Sequence, residues 1–234
     1  MHRVHLLIVA KYPTPGCVNT RMVPPLSPAQ AAALHRVSLR AVVELAQTVD
    51  AAVTIVGTPD DRIDDFRATF GTGAVDCTPQ GDGDLGQRLT HAIDNAVAGA
   101  DVVLALGADS PTLPPPLLRR AIDRLAHHDA VLGPCRDGGY YVIGMRHAIP
   151  ALFDRIDWGG DNVTKQTMER AATACVDLVV LDAWYDLDRF ADLTRAAADL
   201  ADVDPNTRPH AVALRRYIRT LIEEYREWEP ATTE

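Results

Sequence analysis

Asp109 closes the segment Asp101-Val-Val-Leu-Ala-Leu-Gly-Ala-Asp109-Ser-Pro111, in which Val102 to Leu106 is apolar throughout. A run apolar on both faces reads as a central strand of a parallel sheet. Gly107 lets the chain turn and Pro111 forbids further pairing. Asp109 is therefore delivered to the carboxyl edge of the sheet, where open α/β folds bind ligands. A carboxylate there suits a hard cation such as Mg²⁺ that bridges phosphates. A second segment, Lys11-Tyr-Pro-Thr-Pro-Gly-Cys-Val-Asn-Thr-Arg21, leaves the expected first strand at the same edge. Its cations Lys11 and Arg21, the hydroxyl of Thr20 and the backbone near Gly16 are groups that hold a di- or triphosphate. The same loop also reads as a proline-rich connection with surface charge. It is no Walker A loop, because Gly-Lys-Ser/Thr is missing.

Two further carboxylates come later in the chain. Asp137 lies in Arg136-Asp-Gly-Gly-Tyr-Tyr141, which also reads as a hairpin turn. Asp188 ends Trp184-Tyr-Asp-Leu-Asp188 and reads either as a helix N-cap or as the second carboxylate of a metal site with Asp109. Gly81-Asp-Gly-Asp-Leu-Gly86 satisfies G-x-G-x-x-G but does not follow the first strand, and Asp82 and Asp84 would repel a pyrophosphate. The eight histidines show no metal-ligand spacing, and there is no G-x-S-x-G elbow.

The elements that must position these groups alternate. Strands are expected over Val4–Ala10, Ala52–Gly57, Ala74–Cys77, Val102–Leu106, Asp129–Gly133, Tyr140–Met145 and Val176–Leu181. Helices are expected from Ser27-Pro-Ala-Gln30, a capping box, to Val49, and over Asp60–Phe70, Leu85–Ala98, Pro114–His127, Asn162–Ala172, Arg189–Leu200 and Pro209–Trp228. Alternation implies right-handed crossovers and a parallel sheet, broken by a reversal at Arg136–Gly139. The expectation is an α/β three-layer sandwich with a mixed, mainly parallel central sheet, one domain over 1–229 and a frayed tail at 230–234.

The chain has 234 residues, is 47% hydrophobic and carries a net charge of -9. Without a basic stripe, long nucleic acid is excluded as a partner. The four cysteines are scattered, as in a reducing cytosol, and no stretch suits a signal peptide or a membrane span, so a cytoplasmic protein is expected. Aromatic residues of the last helix are candidates for core or homodimer contacts.

Five motifs in order resemble the DUF2064 proteins of the GT-A glycosyltransferase superfamily, the radical-SAM/selenodomain-associated transferase 1 type. They are Lys11-x-Pro-x-Pro-Gly-x-x-x-Thr-Arg21, Gln80-Gly-x-Gly-Asp-Leu-Gly-x-Arg88, Gly107-Ala-Asp-Ser-Pro111, Gly133-Pro-x-x-Asp-Gly-Gly-Tyr-Tyr141 and Trp184-Tyr-Asp-Leu-Asp188. The layout is also similar to 2-phospholactate guanylyltransferase and other nucleotidyltransferases. The resemblance implies a GT-A fold and a catalytic set of Asp109, Asp137 and Arg21. It implies nucleotide contacts from Lys11, Pro15, Gly16, Thr20, Arg21, Gln80, Gly86 and Arg88, and substrate contacts from Ser110, Asp137, Gly138, Gly139 and Tyr140. Asp109 and Asp188 would hold Mg²⁺ or Mn²⁺. One departure stands out: the family lysine before Thr-Arg is Asn19 here, which removes a phosphate cation. The expected partners are a nucleotide-sugar or an NTP and a small-molecule acceptor. Sugar transfer is the leading expectation. Nucleotidyl transfer with release of pyrophosphate, and a catalytically degenerate nucleotide binder, are the alternatives.

Overall fold

Strand β1 (Val4–Lys11) sends alternate side chains to opposite sides: Leu6 and Ile8 enter one core, Leu7 the other. A computed structural model describes residues 3–71 and 73–228; the expected frayed tail lies outside the described residues. The remaining strands are β2 (Ala51–Thr58), β3 (Val75–Pro79), β4 (Val102–Gly107), β5 (Ala130–Pro134), β6 (Tyr140–Met145) and β7 (Leu178–Val180). The helices are α1 (Pro28–Ala46), α2 (Ile63–Phe70), α3 (Leu85–Val97), α4 (Pro115–Arg124), α5 (Val163–Thr173), α6 (Asp192–Asp199) and α7 (Pro209–Glu224).

The strands form a 7-stranded sheet in the order β3-β2-β1-β4-β6-β5-β7. All pairings are parallel except those of β6, which runs antiparallel to β4 and β5. The turn between β5 and β6 is too short to cross over, so β6 must reverse. Helices α1, α2 and α4 cover one face, while α3, α5 and the 3-10 turn Pro150–Phe153 cover the other. Helices α6 and α7 pack on the outer side of α1 through Leu34, Ala41, Leu193, Leu214 and Ile218.

Parallel pairing places the carboxyl ends of β1 to β4 along one edge, where short backbone bonds tie them. Tyr12 N donates to Thr58 O at 2.8 Å, Gln80 N to Gly57 O at 2.9 Å and Ala108 N to Val9 O at 3.3 Å. The chain after β7 continues beside β5 to the same edge. Leu181 N donates to Leu132 O at 2.8 Å, Trp184 N to Pro134 O at 3.0 Å and Leu187 N to Asp109 O at 2.7 Å.

The capping box of α1 forms as expected: Ser27 Oγ accepts from Gln30 N and Gln30 Oε1 accepts from Ser27 N. Helix α6 starts at Asp192 rather than Arg189, because the Asp192 carboxylate accepts from the backbone N–H of both Asp188 and Arg189. The N-cap role considered for Asp188 therefore passes to another residue. Helix α7 ends at Glu224, short of the expected Trp228.

Helix α7 is anchored by a buried carboxylate on α1. Glu44 accepts from His210 N at 2.7 Å and Ala211 N at 3.0 Å, and Arg208 Nε lies 3.8 Å from it. The anion satisfies N-terminal amides and faces the positive end of the helix. Removing it would leave a buried guanidinium without its counter-charge. Glu44→Ala is expected to destabilise the protein by about 3 kcal/mol, lowering Tm by about 6–12 °C. A calorimetric shift below about 2 °C would contradict this role.

Candidate functional site

The edge carries two adjoining cavities. The first, of about 530 Å³, is lined by Lys11, Thr20, Arg21, Gln80, Arg88, Asp109, Asp137, Tyr140 and Asp188 among others. The second, of about 820 Å³, opens between the β5–β6 turn, one face of α5 and the segment at Asp188-Arg189. Arg21, Asp137 and Asp188 border both cavities.

Each group is held by local bonding. Arg21 sits in the 3-10 turn Thr20–Met22 and donates to Asp188 Oδ2 at 2.9 Å, joining segments far apart in sequence. That carboxylate pulls the guanidinium pKa further up. Asn19 adopts φ 49°, a left-handed conformation that asparagine tolerates better than lysine does. Its side-chain amide donates to Ala31 O at 3.3 Å, so the residue anchors the loop to α1. Gln80 is buried and donates to Ala10 O and Val56 O, while its own carbonyl accepts from Arg88 at 3.4 Å. Its amide is thus occupied in joining β1 to β2, and it holds Arg88 at the cavity wall.

Asp109 is 61% exposed and faces the buried imidazole of His35. His35 Nε2 lies 3.0 Å from Lys11 O, and a carbonyl can only accept, so this nitrogen carries the proton. His35 Nδ1 then faces Asp109 Oδ1 at 3.8 Å. Burial pushes the imidazole pKa down, while Asp109 pulls it up. The imidazole thus anchors the root of the Lys11 loop, and its unprotonated Nδ1 makes no hydrogen bond to Asp109. Asp186 is the most perturbed acid of the site, with its pKa raised to about 6 chiefly by burial and further by the charges of Asp109 and Asp137. Ser110 Oγ donates to it in a very short bond, and Cys135 Sγ donates to it at 3.2 Å.

The β5–β6 turn is shaped by its glycines. Gly138 has φ +94°, and a Cβ there would lie 2.0 Å from Asp161 O, so no other residue fits without moving the turn that leads into α5. Gly139 N donates to Asp137 Oδ1 at 3.0 Å, and Gly139 O accepts from Thr164 Oγ1 at 2.5 Å. Tyr140 borders the smaller cavity, and its hydroxyl is buried without a hydrogen-bond partner among the described residues.

Some expected site residues lie elsewhere. Gly86 is buried in α3, where a Cβ would meet Phe153 O at 2.9 Å and Trp158 at 3.0 Å, so it serves close helix packing. Pro15 and Gly16 belong to the loop but line neither cavity. Ser110 is buried behind Asp186 and Gly139 shapes the turn. The neighbouring Asp84, set aside in sequence because it would repel phosphate, is the N-cap of α3 with Gln87 as its capping-box partner.

The donor set matches a hard cation. Cys135 Sγ and carboxylate oxygens of Asp137 and Asp186 lie within 4.8 Å of one another. Burial and Asp186 push the Cys135 pKa far up, and its thiol donates to the Asp186 carboxylate. The carboxylate oxygens of this cluster suit a hard cation such as Mg²⁺ or Mn²⁺. Asp186 and His35 were not singled out by sequence. Asp186 and Asp188 share an i, i+2 spacing that puts both on one face of an extended segment, which could have identified the first. His35 carries no local signal.

Residues 41–160 match the family model described as an uncharacterized protein conserved in bacteria, DUF2064. A chain from Desulfovibrio desulfuricans G20 assigned as a nucleotide-diphospho-sugar transferase superposes with TM-score 0.85 and 32% identity, over 96% of this chain and 99% of that one. The 3-deoxy-manno-octulosonate cytidylyltransferase of Aeromonas salmonicida is 26% identical over 197 residues, 82% of this chain and 70% of that protein. Its Idiomarina loihiensis counterpart is 28% identical over 195 residues, again 82% of this chain and 69% of that one. CMP:2-keto-3-deoxy-manno-octonic acid synthetase, solved with CTP, shares the fold at TM-score 0.52 and 13% identity, over 85% of this chain and 98% of that one.

Proposed function

The chain belongs to the DUF2064 family and is a transferase with a GT-A-like nucleotide-diphospho-sugar transferase fold, and from that premise we propose that it moves a sugar from a nucleotide-diphospho-sugar to a small-molecule acceptor. The nucleotide occupies the smaller cavity with its diphosphate toward Lys11, Arg21 and Asp109, and the acceptor enters from the larger one. The observation that carries the choice of donor is charge. The smaller cavity sets three cations, Lys11, Arg21 and Arg88, against four carboxylates, Asp109, Asp137, Asp186 and Asp188. One divalent cation turns this into a small positive surplus, which suits a diphosphate better than the larger charge of a triphosphate. Asn19 adds no cation to change that balance.

Asp109 and Asp186 would hold the metal, with Asp137 close by. Asp188, expected from sequence for this role, is engaged by Arg21. The cation would supply charge neutralisation at the diphosphate as the nucleotide leaves. Lys11 and Arg21 contribute to the same stabilisation. Asp137, on the wall shared by both cavities, accepts the proton of the attacking acceptor hydroxyl. Ser110 and Cys135 fix the orientation of Asp186, and His35 holds the root of the Lys11 loop beside Asp109.

Nucleotidyl transfer is the second reading, favoured by the likeness to the cytidylyltransferases. Thermal-shift titrations with UDP-, GDP-, ADP- and CDP-sugars and the matching NTPs, each with Mg²⁺ or Mn²⁺, separate the two. Sugar transfer requires one NDP-sugar to stabilise the protein more than its NTP, and mass spectrometry of turnover mixtures to show free NDP. Preferential NTP binding with pyrophosphate release would replace it by the second reading. Binding without either product would leave a nucleotide-binding protein.

A further inference from the structure

We infer that the larger cavity binds an aliphatic acceptor through a phosphate or carboxylate group carried by that acceptor. The inference rests on the reading of the adjoining cavity as the nucleotide site. Three cations from three separate segments line the larger cavity: Arg136 from the β5–β6 turn, Lys165 from α5 and Arg189 from the segment before α6. Among the described residues, none of the three makes an ion pair, although carboxylates line the same space. Arg21, by contrast, is held by Asp188. Cations left unpaired around a concave surface are available to an anionic ligand, and a guanidinium can grip phosphate or carboxylate with two parallel bonds.

The lining also limits what the rest of the ligand can be. Among the described residues no aromatic ring borders this cavity, so they offer no stacking platform for a base. Its apolar strip is Met168, 42% exposed, with Ala172 one turn further along α5. A short carbon chain fits that strip. Asp161 and Glu169 stand nearby and can accept hydroxyl hydrogen bonds. A polyhydroxylated anion satisfies both sets of charges, with its nucleophilic oxygen directed at the wall shared through Arg21 and Asp137.

Glycerol, glycerate and glycerol 3-phosphate keep a three-carbon chain while gaining negative charge. Each would be titrated calorimetrically into the protein alone and into protein saturated with Mn²⁺ and whichever of UDP, CDP, GDP or ADP binds. Affinity is expected to rise about tenfold from glycerol to each anion and to fall with added salt. Lys165→Gln and Arg136→Gln are each expected to weaken glycerol 3-phosphate binding about tenfold. Both side chains are exposed, so the fold is retained. Neither lines the nucleotide cavity, so NDP affinity stays within about twofold. Equal binding of glycerol and the two anions, or unchanged glycerol 3-phosphate affinity in both variants, would overturn the inference. Failure of every NDP to bind removes the nucleotide reading instead; glycerol 3-phosphate binding to the protein alone, lost in the two variants, would then still uphold the anion site.

Discussion

Asp109→Asn is expected to lower turnover about a thousandfold while changing Tm by less than about 2 °C. The carboxylate stands just beyond β4, is 61% exposed and donates nothing to the cores on either side of the sheet. Its chemistry is therefore separable from folding. Removing a charge that helps place a divalent cation on a leaving diphosphate forfeits several kcal/mol of transition-state stabilisation, on the scale of losing one fixed oxyanion donor, a factor of about 10²–10³. The neutral amide keeps the shape and loses the charge. Steady-state kinetics with Mg²⁺, together with a melting curve, separate the two effects. A loss below about tenfold would remove Asp109 from the metal site.

Asp186→Asn is expected to cripple the enzyme and stabilise it at the same time. Burial and the charges of Asp109 and Asp137 raise the folded pKa from 3.8 to about 6. A carboxyl whose pKa rises on folding binds more protons in the folded state, so stability falls as pH climbs. The penalty is absent below about pH 4, grows between pH 4 and pH 6, and is complete above. A rise of about two pH units corresponds to about 3 kcal/mol. Asparagine escapes that penalty, so the metal-free variant should exceed the parent in stability at pH 8 by up to about 3 kcal/mol and lose the advantage near pH 4. Activity should drop about a hundredfold or more, because a metal ligand is lost. Added Mn²⁺ should stabilise the parent and leave the variant unmoved. Chemical denaturation with chelator at pH 4 and pH 8 reads the linkage; a variant less stable than the parent at pH 8 would contradict the strained carboxylate.

What the sequence made legible was periodic or punctuated. Val102 to Gly107 declared a buried strand by lacking a polar face, and Asp109 followed from where that strand had to stop. The Ser27-x-x-Gln30 capping box marked the start of α1, and the short Asp-Gly-Gly turn marked the reversal at β6. The parts that stayed hidden depend on through-space neighbours. The sequence pointed to Asp188 and passed over Asp186, which only the approach of Ser110 and Cys135 from other segments sets apart. His35 lies in the middle of an ordinary amphipathic helix, and its meaning comes from Lys11 and Asp109. Gly86 has a motif that suggested a ligand, yet Phe153 and Trp158 press against it. Asn19 reads as a lost cation in sequence and as a left-handed turn residue in the fold.

Anomalous diffraction from a crystal soaked with Mn²⁺ and the NDP that binds tests the metal-assisted site most directly. One manganese peak is expected, bonded to carboxylate oxygens of Asp109 and Asp186 and to a phosphate oxygen, with Lys11 and Arg21 on the same diphosphate. Nucleotide bound along β1 with no manganese at Asp109, or manganese held only by Asp161 and Glu169 in the larger cavity, would contradict it.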